Sequence, residues 1–185
     1  QQANQVLVSK AKRDWFNTND ESNLFGLEPN FGCCTANMHQ GWPKLLKSMW
    51  LKEDENTLIS MVHGPSSIVT ELAGNRVSIS EETEYPFKNR ICYRVTEGNA
   101  PSAVFRIWIP EWCKDFRVCI DGAWKNRERT EDYLTVHGLH AGSEMTVEFS
   151  MDIRKSFWYK DSMAIERGPL VFALDMKEQW KKIRE

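Results

Sequence analysis

The residues able to do chemistry are concentrated in one stretch, Glu28-Pro29-Asn30-Phe31-Gly32-Cys33-Cys34-Thr35-Ala36-Asn37-Met38-His39-Gln40-Gly41-Trp42-Pro43. Two adjacent thiols, Cys33 and Cys34, stand where a loop enters a helix, with Thr35 the N-cap candidate. Free N–H groups and the positive end of the helix dipole favour thiolate there. A thiolate is both a nucleophile and a metal ligand, and bound zinc lowers the thiol pKa further and holds the sulfur in place. Zinc usually takes four ligands, so the pair is half a site. Three other readings stay open on spacing alone: two buried structural thiols, a strained vicinal disulfide, or a metal site without catalysis. Adjacent cysteines are not among the diagnostic zinc spacings. His39 and His63 are candidate further ligands, but neither stands at a diagnostic spacing, and no motif marks Glu28 as an acid.

The elements that must hold this stretch fall into two patterns. From Gln1 to about Glu55 the signal is loop and helix. Leu45, Leu46, Met49 and Trp50 follow Trp42 at the spacing of a buried helical stripe, so Thr35 to Leu51 is expected to be mainly helical. Pro43 lacks a backbone donor, so the helix kinks there or restarts with Pro43 in its first turn. One amphipathic helix cannot bury its apolar face alone. The expectation is therefore that residues 1–55 are the end of a helical domain lying upstream.

From Thr57 onward the period becomes two. Met145, Val147, Phe149, Met151 and Ile153 alternate with polar residues, as do Ala103, Phe105, Ile107 and Ile109. Val77 with Ile79, Leu134 with Val136, and Leu170 with Phe172 add strands, and Phe116, Val118 and Ile120 run into the tight-turn pair Asp121-Gly122. Turn signals at Gly64-Pro65, Gly74-Asn75, Gly98-Asn99, Gly138 and Gly142 punctuate the run, and Asp121 to Asp132 reads as a surface turn and loop. Many short strands at roughly even spacing give a mainly β fold, an antiparallel β-sandwich over residues 56–185.

The composition is that of an ordinary globular protein, 41% hydrophobic and 27% charged. With 24 basic and 26 acidic residues the net charge is −2, which disfavours a nucleic-acid partner, and no apolar run is long enough to span a bilayer. The five cysteines are odd in number and unevenly spaced, so they form no disulfide framework; Cys92, Cys113 and Cys119 read as small buried hydrophobes. The eight tryptophans supply flat faces for sugar stacking as well as core and interface packing. The sequence opens at Gln1 with no initiator Met and no signal-like start, and closes within a charged helical pattern at Trp180 to Glu185. Both ends read as cuts, and the expectation is a piece of a longer chain.

The run Phe31 to Leu45, with its Cys-Cys-Thr-Ala-Asn-Met-His-Gln-Gly-Trp-Pro-Lys-Leu core, resembles the signature of the β-L-arabinofuranosidase-like glycoside hydrolases. His63-Gly64-Pro65-Ser66 and Arg167-Gly168-Pro169-Leu170-Val171-Phe172-Ala173 are similar to weaker motifs of the same family. The resemblance implies an (α/α)6 barrel followed by β-sandwich material, with the helical stump here belonging to that barrel. It implies a retaining mechanism in which Cys33 is the nucleophile and also contacts zinc, and Cys34 is a zinc ligand. The acid/base Glu and the remaining ligands, a Glu and a third Cys, would lie upstream. The implied partners are a carbohydrate substrate of plant-glycan type and the missing N-terminal barrel, with neither nucleic acid nor membrane. Two alternatives belong to other classes: a non-catalytic carbohydrate-binding or structural β-sandwich, and a metal-binding module using Cys33 and Cys34.

Overall fold

The computed structural model describes residues 37–125 and 130–175. Contacts divide the chain into two compact units, Gln1–Ser48 and Met49–Glu185. In the first, helix α1 (Gly41–Ser48) restarts after a turn at His39 and Gln40 and takes Pro43 into its first turn, where the missing donor costs nothing. Trp42, Leu45 and Leu46 are exposed on it. The helix stops at Ser48, short of the expected Leu51. Met49 and Trp50 keep the helical spacing in sequence but belong to the second unit. There Met49 is buried, and Trp50 stacks on Phe105 at 6.1 Å and meets Tyr93 edge-on at 6.2 Å. Tertiary packing overrides the local period.

The second unit begins with β1 (Trp50–Lys52) and β2 (Thr57–Ser60). A three-strand meander follows: β3 (Ser66–Leu72), β4 (Asn75–Thr83) and β5 (Arg90–Glu97). Then come β6 (Asn99–Trp108), β7 (Phe116–Ile120), β8 (Ala123–Lys125), β9 (Tyr133–His140) and β10 (Glu144–Phe149). One sheet has the order β1-β2-β6-β9 and the other β3-β4-β5-β10-β7-β8. Their facing side chains make one core, with Val77, Ile79, Ile91 and Val147 from the six-stranded sheet and Leu58, Phe105, Ile107 and Leu134 from the four-stranded one. Tyr93 and Phe105 meet across the layers edge to face at 5.3 Å. The fold is therefore the expected mainly β sandwich. Among the described residues all ladders are antiparallel save one: β2 and β6 run parallel, Thr57 opposite Val104, because the chain crosses to the other sheet for β3 to β5 before returning.

Two expected elements differ in extent. The alternation from Met145 to Ile153 is broken. β10 ends at Phe149, where its neighbours run out, since Glu148 faces Arg90 at the start of β5 and Phe149 faces Phe116 at the start of β7. Met151 is still buried, whereas Ile153 is exposed and opens a separate three-stranded sheet of β11 (Ile153–Phe157), β12 (Met163–Arg167) and β13 (Leu170–Phe172). Within the expected loop after Asp121-Gly122, Ala123–Lys125 returns as β8, paired with β7 through a tight turn whose two residues have φ of 48° and 80°. Gly138 marks no turn; it sits inside β9, opposite the irregular stretch of β6 between Ala100 and Val104.

Gly98 joins β5 to β6 with φ of 101°, and a Cβ there would collide with the Arg76 carbonyl and the Val77 backbone. Gly98→Ala is expected to destabilise the protein by about 2–4 kcal/mol, combining left-handed strain with a clash that has no flexible partner to yield. Urea unfolding followed by tryptophan fluorescence measures it; a midpoint equal to wild type would contradict this account.

Candidate functional site

Of the residues singled out in the sequence, Cys33 and Cys34 lie outside the described residues, as do Glu28 and Thr35. His39 is exposed. His63 is buried in the sandwich, where it joins Ser60, Glu81 and Tyr93 in a polar cluster walled by apolar side chains. Ser60 ends β2. Glu81 and Tyr93 face each other across the β4–β5 ladder, and His63 lies in the loop after β2. Glu81 points inward because it continues the core-facing alternation of Val77 and Ile79.

The cluster forms a connected chain of hydrogen bonds. His63 Nε2 is 2.8 Å from the Trp108 carbonyl, which only accepts, so that nitrogen carries the proton. Nδ1 of the neutral ring then accepts from the Tyr93 hydroxyl at 3.0 Å. Ser60 Oγ lies 2.9 Å from Tyr93 Oη and 3.3 Å from Glu81 Oε2, while Glu81 Oε1 accepts the Gly64 N–H at 2.9 Å. Burial pushes the Glu81 carboxyl up to about 8 and His63 down to about 4, and holds the Tyr93 phenol well above its ordinary value. At neutral pH Glu81 is thus mostly protonated and donates back to Ser60, so each donor in the chain meets an acceptor without a net charge in the core.

This arrangement positions backbone rather than substrate. Glu81 is 2% exposed and Tyr93 1%, so nothing can reach either group without opening the sandwich. It also accounts for the His63-Gly64-Pro65-Ser66 motif. The Gly64 N–H is tied to Glu81, its carbonyl accepts from Ser66 Oγ, and that hydroxyl accepts the Trp50 indole N–H. A Cβ at Gly64 would press on the Met49 side chain. The sequence reading missed Glu81, although the inward register of Val77 and Ile79 pointed to it.

Among the described residues no group of three or more His, Cys, Asp or Glu side chains could hold a metal ion. Cys113 is buried, donating to the Asp115 carbonyl, while Cys92 and Cys119 are half-buried free thiols on the outer face of the six-stranded sheet. No helix among the described residues is long and apolar enough to cross a membrane.

The class is thus set by fold: a two-sheet, mainly antiparallel β domain with a sealed core. Residues 57–153, just over half of the chain, match the family described as β-L-arabinofuranosidase, GH127 middle domain, and the chain belongs to that glycoside hydrolase family. A GH127 β-L-arabinofuranosidase from Geobacillus stearothermophilus T6 shares the fold with a TM-score of 0.67 at 23% identity, over 76% of this chain and 24% of that one. A second GH127 β-arabinofuranosidase aligns with a TM-score of 0.68 at 20% identity, over 78% of this chain and 26% of that one. A further structure, described as a glycoside hydrolase, aligns at 0.72 and 16% identity, over 86% and 28%. The chain spans about a quarter of the length of these solved structures. No curated protein matches the sequence.

Proposed function

We propose that the chain is part of a retaining glycoside hydrolase of β-L-arabinofuranosidase type acting on plant-type glycans, in which Cys33 is the nucleophile and Cys34 a zinc ligand. The observation that carries this reading is the family match over residues 57–153, joined to the Cys33-Cys34 stretch that precedes it. On this reading the stretch around Cys33 and Cys34 belongs to the helical catalytic barrel.

Two neighbouring thiols are soft donors that suit zinc, and they leave two positions for ligands from elsewhere in the parent chain. Zinc, when bound, supplies a lowered thiol pKa and a fixed sulfur. Retaining hydrolysis then needs Cys33 to attack the anomeric carbon while a separate carboxylic acid protonates the leaving oxygen. That acid, like the remaining ligands, comes from upstream.

Mass spectrometry of the full-length enzyme after treatment with a mechanism-based arabinofuranosyl inactivator tests this. The label is expected on a peptide at Cys33; a label on a carboxylate would make the pair structural zinc ligands instead. For residues 1–185 alone, no detectable hydrolysis of arabinofuranosides is expected, since loss of the acid/base by itself removes roughly 10²- to 10⁴-fold. Clear turnover by the purified chain, free of host glycosidase, would defeat that expectation.

A further inference from the structure

The outer face of the six-stranded sheet is not a uniform solvated surface. The register aligns Glu82 of β4, Cys92 of β5, Thr146 of β10, Cys119 of β7 and Trp124 of β8 in one row across five strands. The three middle residues are small, so the row is the floor of a groove. One wall is the Arg94–Glu144 ion pair, with Arg94 and Glu144 facing each other one step along the strands. The other wall is Arg90, Glu148 and Arg117, aligned by the same ladders, with Arg117 bound to Glu148. Near Glu82 the groove deepens into a depression of about 180 Å³. At its far end the Arg117 guanidinium packs over the Trp124 ring, 4.8 Å from its centroid, and leaves the indole 53% exposed.

We infer that this cross-strand groove binds a neutral oligosaccharide segment, lying along Cys92, Thr146 and Cys119 with one sugar ring stacked on Trp124. Three acidic and three basic side chains line it (Glu82, Glu144, Glu148; Arg90, Arg94, Arg117), so it offers no field to a polyanion or polycation. The Glu82 carboxylate and the Arg90 guanidinium have no hydrogen-bond or ion-pair partner among the described residues, Arg90 being held only through its carbonyl by Thr83 Oγ1. They present an acceptor and a fork of donors together, which suits vicinal hydroxyls. The Thr146 hydroxyl, directed at Cys92 Sγ at 3.5 Å, adds a weakly engaged polar group to the floor. Four strand spacings of about 4.8 Å give the groove a length of roughly 19 Å, enough for several sugar rings. Arg117 fixes the orientation of the indole, so stacking needs little further ordering. The surface is sealed from the buried Glu81 cluster by the sheet itself. The inference rests on the reading of the parent as a carbohydrate-processing enzyme for its choice of sugar, and not for its geometry.

Native affinity electrophoresis of the 185-residue chain in gels containing debranched arabinan or arabinoxylan tests the groove, with polygalacturonate as the charged control. Retardation by a neutral polymer and none by polygalacturonate are expected. Trp124→Ala, Glu82→Ala with Arg90→Ala, and Thr146→Tyr, which fills the floor, are each expected to weaken the apparent affinity about tenfold or more. Mobility in polymer-free gels should stay unchanged. No retardation by either neutral polymer, equal retardation by polygalacturonate, or wild-type affinity in all three variants would overturn the proposal. In the full-length enzyme, Trp124→Ala is expected to leave hydrolysis of a small soluble arabinofuranoside unchanged and to lower activity on the polymer. A wild-type enzyme inert on the small substrate would count against the hydrolase reading, while the gel result would still decide the groove.

Discussion

Replacing Cys33 by Ser in the full-length enzyme is expected to eliminate the covalent sugar adduct and to lower turnover by about 10⁴- to 10⁶-fold, the scale on which loss of a catalytic nucleophile acts. A serine hydroxyl at neutral pH lacks the thiolate's charge and intrinsic nucleophilicity. Cys34→Ser is expected to fail differently. On the proposed reading zinc content is expected to fall first and activity to follow it, because zinc would no longer hold the reacting sulfur in place. The two variants separate when zinc by elemental analysis is plotted against residual turnover. Cys33→Ser should keep much of its metal with no activity, and Cys34→Ser should lose both. A Cys33→Ser enzyme that still turns over would remove the thiolate mechanism.

The second large effect is a pH dependence of stability set by Glu81 and His63. The Glu81 carboxyl is raised from 4.5 to about 8 by burial, so the folded state holds a proton that the unfolded chain releases, and stability falls as pH rises between those values. His63 is lowered from 6.5 to about 4, so the unfolded chain binds the extra proton, and stability rises over that range. From about pH 4.5 to 6.5 the two slopes cancel. Above pH 6.5 only Glu81 remains, and about 2 kcal/mol is expected to be lost by pH 8, at roughly 1.4 kcal/mol per unit. Glu81→Gln keeps an amide N–H for Ser60 and an oxygen for the Gly64 N–H, and removes the titration. Its urea midpoint should hold level from pH 6.5 to 8 and fall below pH 6.5 as the His63 slope stands alone. A wild-type midpoint that does not drop between pH 6.5 and 8 would show that the core carboxyl does not hold its proton.

Strands whose two faces meet different surroundings were legible in the sequence. The alternation in β6 and β10 survives because one face of each packs on the opposite sheet and the other meets solvent. β8 was not legible, since Ala123, Trp124 and Lys125 are all exposed at a sheet edge and carry no alternation. Met49 and Trp50 misled because their spacing fits a helix, while Trp50 packs on Phe105 and Tyr93 and the Met49 carbonyl accepts the Met61 and Val62 N–H groups, none of them a helical neighbour. The parallel direction of β2 against β6 leaves no mark in either strand's residues. Glu81 escaped because a charged residue is ordinarily read as solvent-facing, and only its phase relative to Val77 and Ile79 says otherwise. The Cys33-Cys34 stretch lies outside the described residues, so its assignment rests on the family resemblance, its spacing alone leaving several readings open.

The parallel pairing of β2 with β6 also sets an order of events during synthesis. Thr57 waits for Val104, 47 residues later, before β2 gains its inner neighbour. At about 5–20 residues per second, translation takes roughly 2–9 seconds to supply it. Meanwhile β3, β4 and β5 pair through short hairpins as they emerge, but of the covering sheet only β1 and β2 precede them, and β6 and β9 come later. Leu72, Val77, Ile79 and Tyr93 therefore remain on an incompletely covered apolar sheet until β6 and β9 arrive. A nascent chain stalled between β5 and β6 should be the species that chaperones bind most avidly, and the one most prone to stick to its own copies on a crowded polysome.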